Sequence, residues 1–523
     1  MRALLRLVGA LAFLWPATSG SQSTIDCTRN PDQAQWFVRA GADPGVGTRS
    51  APFGSLADIE RCAPPGATIS VLPAAIPLDG GIRLKDRQRL LGSEPPMETG
   101  TPSPRVTNTT GTGDAITLAH GNEIAHLHID SPAGSAIFGD NVRGAALRDL
   151  LVTRRSPAAP LRLDESLCRV VKTGDGVDNA QSVLRGCNGR QATGVKPAVM
   201  LLADDRAGAP SIHYTIQRVV IQDNPSHENP QGLWPAGVSV SAAGRVAVTL
   251  DLSDSSIEFT VRGLGLRGMD RSVVTANVTN TAFESLRSDG ISMGTGFVCS
   301  GLEKSTTAPV DCSTLAPAPL SDARLVVNVD RFRFTDKRRH GQPNDPAAIE
   351  TVAYDQGRST IEVHVERSDL IGGGAPAVFT YYVFGRPARD IMDLGCVNPA
   401  PDATAPDREA CRRLGYVSVG GNRIYGNAWS GPSYSRRVEV ALQGAGRMMA
   451  QGNYWGDITP ADGKGDALGD CSVFEWSGNP KENPPPVKPV PDARCELYTI
   501  PAQGSPSGID GRFHLVSEPR PPK

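Results

Sequence analysis

A short signature, ψ-x-x-ψ-x-ψ with ψ mostly apolar, returns from one end of this chain to the other and narrows what it can fold into. It reads Ile124-x-x-Leu127-x-Ile129, Leu147-x-x-Leu150-x-Val152, Ile216-x-x-Val219-x-Ile221, Leu252-x-x-Ser255-x-Ile257 and Val278-x-x-Thr281-x-Phe283. It continues as Val329-x-x-Phe332-x-Phe334, Val365-x-x-Ser368-x-Leu370, Val419-x-x-Asn422-x-Ile424 and Ala450-x-x-Asn453-x-Trp455. The last two positions lie two apart, the period of a strand and not of a helix. Successive motifs end 23, 69, 36, 26, 51, 36, 54 and 31 residues apart. The shortest steps suit one coil of a β-solenoid, and the longer ones suit several coils or a coil with an insertion. Such a pattern is expected where each coil must cover its neighbour.

Composition fits this reading. The 523 residues include 56 Gly and 43 Pro, which punctuate short Val- and Ile-bearing runs. A solenoid grows along its axis without starting a new core, so this length need not mean several domains. The net charge of -2 argues neither for nucleic acid nor for an anionic membrane surface, and no nucleic-acid partner is expected.

The first residues, with Arg2, Arg6 and the apolar run 7–15 before small residues 17–21, read as a secretory signal over 1–21. The run is too short to span a bilayer and no later segment looks transmembrane. The mature chain is expected to be secreted or periplasmic and to work as a monomer. Ten cysteines fit an oxidising compartment. Spacing does not fix their connectivity. Nearest-neighbour pairing suits a molecule of local contacts and gives Cys27 with Cys62, Cys168 with Cys187, Cys299 with Cys312, Cys396 with Cys411, and Cys471 with Cys495.

Several stretches carry a family resemblance. After Trp36-Phe37-Val38 come Gly47-Thr48, Ala51-Pro52-Phe53, Ser55-Leu56, Pro65-Gly66-Ala67-Thr68-Ile69 and Gly80-Gly81-Ile82-x-Leu84. This opening resembles that of the secreted right-handed parallel β-helix proteins of the pectin-lyase-like superfamily, though Ala67 stands where that pattern has Asp. Gly420-Gly421-Asn422-x-Ile424-x-Gly426-Asn427 and Asn453-Tyr454-Trp455-Gly456 resemble its closing coils. The resemblance implies an all-β, right-handed parallel β-helix of about ten to twelve coils over 24–457, three sheets per coil. A helix near 56–61 is expected to cap one end, and the tail 458–523 the other. Residues 153–215, 294–324 and 385–416 interrupt the repeat and read as disulfide-pinned loops. Asn422 and Asn453 should stack, each amide bonding the next.

The resemblance also implies a substrate groove on the outward face of one sheet. Outward positions of the repeat give an acidic group, Asp254, Glu258 and Glu284, followed by Arg331, Arg333, Arg367, Asp369 and Arg423. The carboxylates are candidates for the acid and base of a glycoside hydrolase, or for Ca²⁺ ligands. The arginines are candidates for binding a polysaccharide carboxylate or sulfate, as in a lyase or hydrolase of acidic polysaccharide. A non-catalytic protein that binds a cell-surface glycan is the alternative, and the signature motifs of polygalacturonases and alginate epimerases are missing. Asp254, Glu258, Glu284, Arg331, Arg333 and Arg367 are expected on one sheet, walled by the Cys299–Cys312 and Cys396–Cys411 loops. His126, His128, Asp130 and Asp149 could gather round a metal, but read more simply as an exposed strand. Asp289, in Ser288-Asp289-Gly290-Ile291, reads as a turn residue.

Overall fold

The computed structural model describes residues 26–92, 104–109, 113–130, 134–154, 196–204, 208, 211–223, 234–295, 321–335, 347–353, 358–382, 390–395, 412–413, 415–425, 427–431, 434–437, 440–442, 447–453, 474–475, 488–489 and 495–499. Within these residues the chain is a parallel β-helix. Its middle coils contribute a strand to each of three sheets, and strands of successive coils pair in parallel.

The first sheet runs through Gln35–Val38, Thr68–Val71, Arg89–Gly92 and Asn122–Ala125, and later through Ala247–Ser253, Val273–Thr279, Arg324–Asp330 and Thr360–Glu366. The second takes the short strands His128–Asp130, Ser256–Glu258, Ala282–Glu284, Arg333–Thr335, Asp369–Ile371 and Arg423–Tyr425. Two long strands, Ala145–Thr153 and Ser211–Gln222, pass from the first sheet into the second. The third sheet has ten strands among the described residues, including Val238–Ala242, Leu264–Gly268, Ile291–Thr295 and Ile349–Ala353.

The signature is confirmed in register. Ile129, Val152, Ile221, Ile257, Phe283, Phe334, Leu370 and Ile424 sit directly over one another in adjacent coils. All are buried. The signature is not one strand, however: it crosses the corner between the first and second sheets. Its third position adopts a left-handed backbone in coil after coil: His126, Asp149, Arg218, Asp254, Asn280, Arg331, Arg367 and Gly421 have φ between 48° and 74°. That turn brings the first, fourth and sixth positions inward together. In one coil Leu252, Ser255 and Ile257 are each about 1% exposed.

Polar residues at the fourth position close the corner from inside. Ser255 donates to Ser253 O at 2.7 Å and accepts from Val219 N at 3.1 Å. Ser368 repeats the arrangement with Glu366 O and Phe332 N. Asn422 donates to Asn453 Oδ1 at 2.9 Å and to the carbonyls of Val365 and Leu394, so the expected amide stack is present. Apart from the amide–amide bond between Asn422 and Asn453, each bond satisfies a backbone group that the corner removes from the ladder.

At the N-terminal end the helix Leu56–Cys62 is capped by Ser55, whose hydroxyl accepts from Asp58 N, and it buries Leu56 and Ile59. The Cys27–Cys62 disulfide joins this cap to the chain before the first strand. Trp36 and Phe53 stack beneath it with centroids 5.8 Å apart. Gly47, at φ +82°, lies against both rings, where a Cβ would come within 2.6 Å of Trp36. The other proposed disulfides lie wholly or partly outside the described residues. So do the signal segment and the expected loop walls. From the tail, the strand Cys495–Thr499 pairs in parallel with Arg447–Asn453 and adds a rung to the first sheet.

Candidate functional site

The six charges expected on one sheet divide between two places. Glu258, Glu284 and Arg333 leave the outward face of the second sheet, with Glu258 and Glu284 in register and Arg333 in the next coil. Asp254, Arg331 and Arg367 stand on the left-handed corner instead. Counting in twos places them on the strand, but the corner residue takes up the turn between sheets and belongs to neither. His126 and His128 are separated by the same corner, so they do not share a strand face. His128 is buried with Nε2 2.7 Å from Thr153 Oγ1, and His126 Nδ1 is 3.9 Å from Asp149. Among the described residues no three His, Cys, Asp or Glu side chains come together as metal ligands, so the acidic group forms no Ca²⁺ cage there.

The charges along this strip bind one another, most of them across coils. Arg218 grips Asp149 with two bonds of 2.5 and 2.8 Å, and this holds the Asp149 carboxyl below its usual range. Arg367 bonds Asp330 at 2.7 Å and Glu366 at 2.5 Å, and Arg331 lies 3.2 Å from Asp330. Arg333 lies 3.7 Å from Glu284, and Asp254 accepts from Asn280 at 2.8 Å. Arg423 and Asp369 form a bidentate pair in which the Asp369 side chain is 3% exposed. With coils about 4.8 Å apart, an arginine in one coil reaches a carboxylate in the next. The strip therefore stitches coils together, and its arginines already have anionic partners.

A second cluster lies on the outward face of the first sheet. His364 Nδ1 is 2.9 Å from Asp393, a fully buried carboxylate that also accepts from the backbone N–H groups of Val417 and Ser418. Burial disfavours the imidazolium, but Asp393 and Glu362 outweigh it and raise the His364 pKa to about 9. Burial likewise acts against the Glu362 carboxylate, and bonds from His364 and Arg324 bring it down to about 2. This cluster fixes the segment 415–420 to the wall. Arg154 and Asp223 form a third, fully buried pair, with Nη2 2.7 Å from Oδ2 and the guanidinium 5.0 Å from the Trp234 ring centroid.

The carboxyl pair with unusual proton chemistry is on the third sheet. The register that matches Leu264 with Ile291 and Ile349 puts Arg262, Asp289 and Ala347 at one corner position in successive coils. Glu350 follows Ile349 and faces outward beside Ser292, its partner in the adjacent coil. Ala347 has only a methyl group, which leaves room for Glu350 to reach Asp289. Asp289 is 5% exposed and accepts on Oδ2 from Ser288 Oγ at 2.8 Å and Arg262 Nε at 3.4 Å. Glu350 Oε2 accepts from Ser292 Oγ at 3.2 Å. Burial, and then the neighbouring Asp289 carboxylate, push the Glu350 carboxyl up to about 8, against the pull of Arg262. Glu350 thus holds its proton more tightly than an ordinary carboxyl group, beside a second carboxyl group, an arrangement suited to proton transfer.

No protein-family model, curated protein or solved structure matches this chain.

Asp289 was visible in the sequence as an Asp-Gly corner, but Glu350 was missed. The signal was present in the third-sheet strands, where a small residue precedes a β-branched one, as in Ala348-Ile349 and Gly290-Ile291. The residue after it faces outward: Arg83, Thr117, Phe138, Ser239, Ser292, Glu350 and Phe379 align on this ladder, and Glu350 is the one carboxylate among them.

Proposed function

We propose that this chain is an exported β-helix protein of the pectin-lyase-like kind that hydrolyses the glycosidic bonds of an acidic polysaccharide. The observation that carries the reading is the Asp289–Glu350 pair on the third sheet, in which burial and the neighbouring Asp289 raise the Glu350 carboxyl above its usual range. A glycoside hydrolase needs one carboxyl group that is still protonated at working pH and a second that is ionised. In the free protein the two are hydrogen-bonded, closer than the roughly 5–9.5 Å separations of working glycosidases, so an entering glycosidic oxygen must part them. The Cys27–Cys62 disulfide supports an oxidising compartment.

The second reading, a non-catalytic glycan-binding β-helix, draws on the paired state of the corner and second-sheet arginines, which makes that strip structural. The test is incubation with pectate, alginate, chondroitin and heparin, followed by reducing-end and unsaturated-product assays. Reducing ends that appear with wild type and vanish with Glu350→Gln and Asp289→Asn support the hydrolase. Unsaturated products would replace it with a lyase. Binding without cleavage would favour the second reading.

A further inference from the structure

The two carboxyl groups of the pair have unequal company. Asp289 Oδ2 receives two donors, the Ser288 hydroxyl and the Arg262 guanidinium, and its side chain is 7% exposed. Glu350 receives the Ser292 hydroxyl at the longer distance of 3.2 Å. Arg262 is itself held in place: its carbonyl accepts from Gly237 N at 2.9 Å and Thr260 Oγ1 at 2.7 Å. Hydrogen bonds to a carboxylate favour its charged form, and a cation adds to the effect.

We propose that Ser288 and Arg262 are positioning residues that keep the negative charge on Asp289, so that the single proton of the pair resides on Glu350. This rests on the hydrolase reading for its use and on the donor geometry for its substance. In the reaction Glu350 gives its proton to the glycosidic oxygen as the bond from the sugar C1 to that oxygen breaks. Asp289 takes a proton from the water whose oxygen bonds to C1. Passing that proton back to Glu350 restores the pair, and the net change is addition of one water. The higher affinity of Glu350 for its proton agrees with this division.

The proton can be read without any substrate, from the infrared carbonyl band of a protonated carboxylic acid at pH 7 in the full chain. The band is expected in wild type and absent in Glu350→Gln. Its titration midpoint belongs to the pair. That midpoint should rise by about one pH unit in Arg262→Met, because the arginine opposes protonation of both members. The alkaline limb of any hydrolytic activity should move with it, whereas a merely structural arginine would lower activity at every pH without moving the limb. A band that survives Glu350→Gln but disappears in Asp289→Asn overturns the assignment, as does the lack of such a band in wild type. If Glu350→Gln does not fold, Ser288→Ala and Arg262→Met decide, and unmoved midpoints in both overturn it. The expected spectra without cleavage of any polysaccharide would leave the proton assignment standing and sink the hydrolase reading alone.

Discussion

His364 offers a quantitative test of how the wall is held. Its side chain is 10% exposed, bonded through Nδ1 to buried Asp393, with Glu362 3.9 Å from Nε2. A pKa of about 9 against an ordinary 6.5 means the folded protein binds this proton more tightly than the unfolded chain does. The contribution is therefore complete below pH 6.5 and is lost as pH rises toward 9. A shift of that size corresponds to about 3 kcal/mol, which matches the roughly 3–5 kcal/mol expected for breaking a buried ion pair. His364→Gln should therefore be less stable than wild type by about 3 kcal/mol at pH 6, and the two should converge above pH 9. Denaturant unfolding of both proteins from pH 6 to 10 measures this. Amide exchange at Val417 and Ser418, the N–H groups bonded to Asp393, locates it in the wall. Stability curves that run parallel over the whole range would refute the reasoning, since they would mean that His364 carries no linked proton.

Two other substitutions probe the interior. Asn422→Ala removes side-chain bonds to Val365 O, Leu394 O and Asn453 and strands the Ser368 N–H. It should lower stability by about 2–4 kcal/mol, seen as a fall in the thermal midpoint. Arg154→Met leaves Asp223 buried without its cation. It should destabilise by about 3–5 kcal/mol, and adding Asp223→Leu should recover part of that loss in denaturant titrations.

The repeat was legible because a solenoid must place like residues over like. Ile257, Phe283 and Phe334 had to be apolar whatever else the coils carried. The corner was not legible, because Asp254, Arg331 and Arg367 take a left-handed backbone with ordinary side chains. That conformation costs an L-residue about 1–2 kcal/mol, and glycine, the usual marker, occurs at this position as Gly421. Stacked coils hold the others in place by the corner bonds of Ser255 and Ser368. The site was missed for a related reason. Asp289 and Glu350 are 61 positions apart in the sequence, and what brings them together is the register of Ile291 on Ile349, which only the pairing of the third-sheet strands reveals.

The match of Ala247–Ser253 with Val273–Thr279 is residue for residue, and corner residues Asp254 and Asn280 lie 26 positions apart. Nothing in such a stack closes on itself, so its length is not fixed by geometry as a barrel's is. One such unit could be duplicated or removed and the strands on either side would meet in the same alignment. Each change would lengthen or shorten the outward faces by one coil, about 4.8 Å, while leaving the chemistry of every other coil where it was. In that sense the molecule is a ruler, and a lineage could adjust its reach along an extended partner separately from what any one coil does.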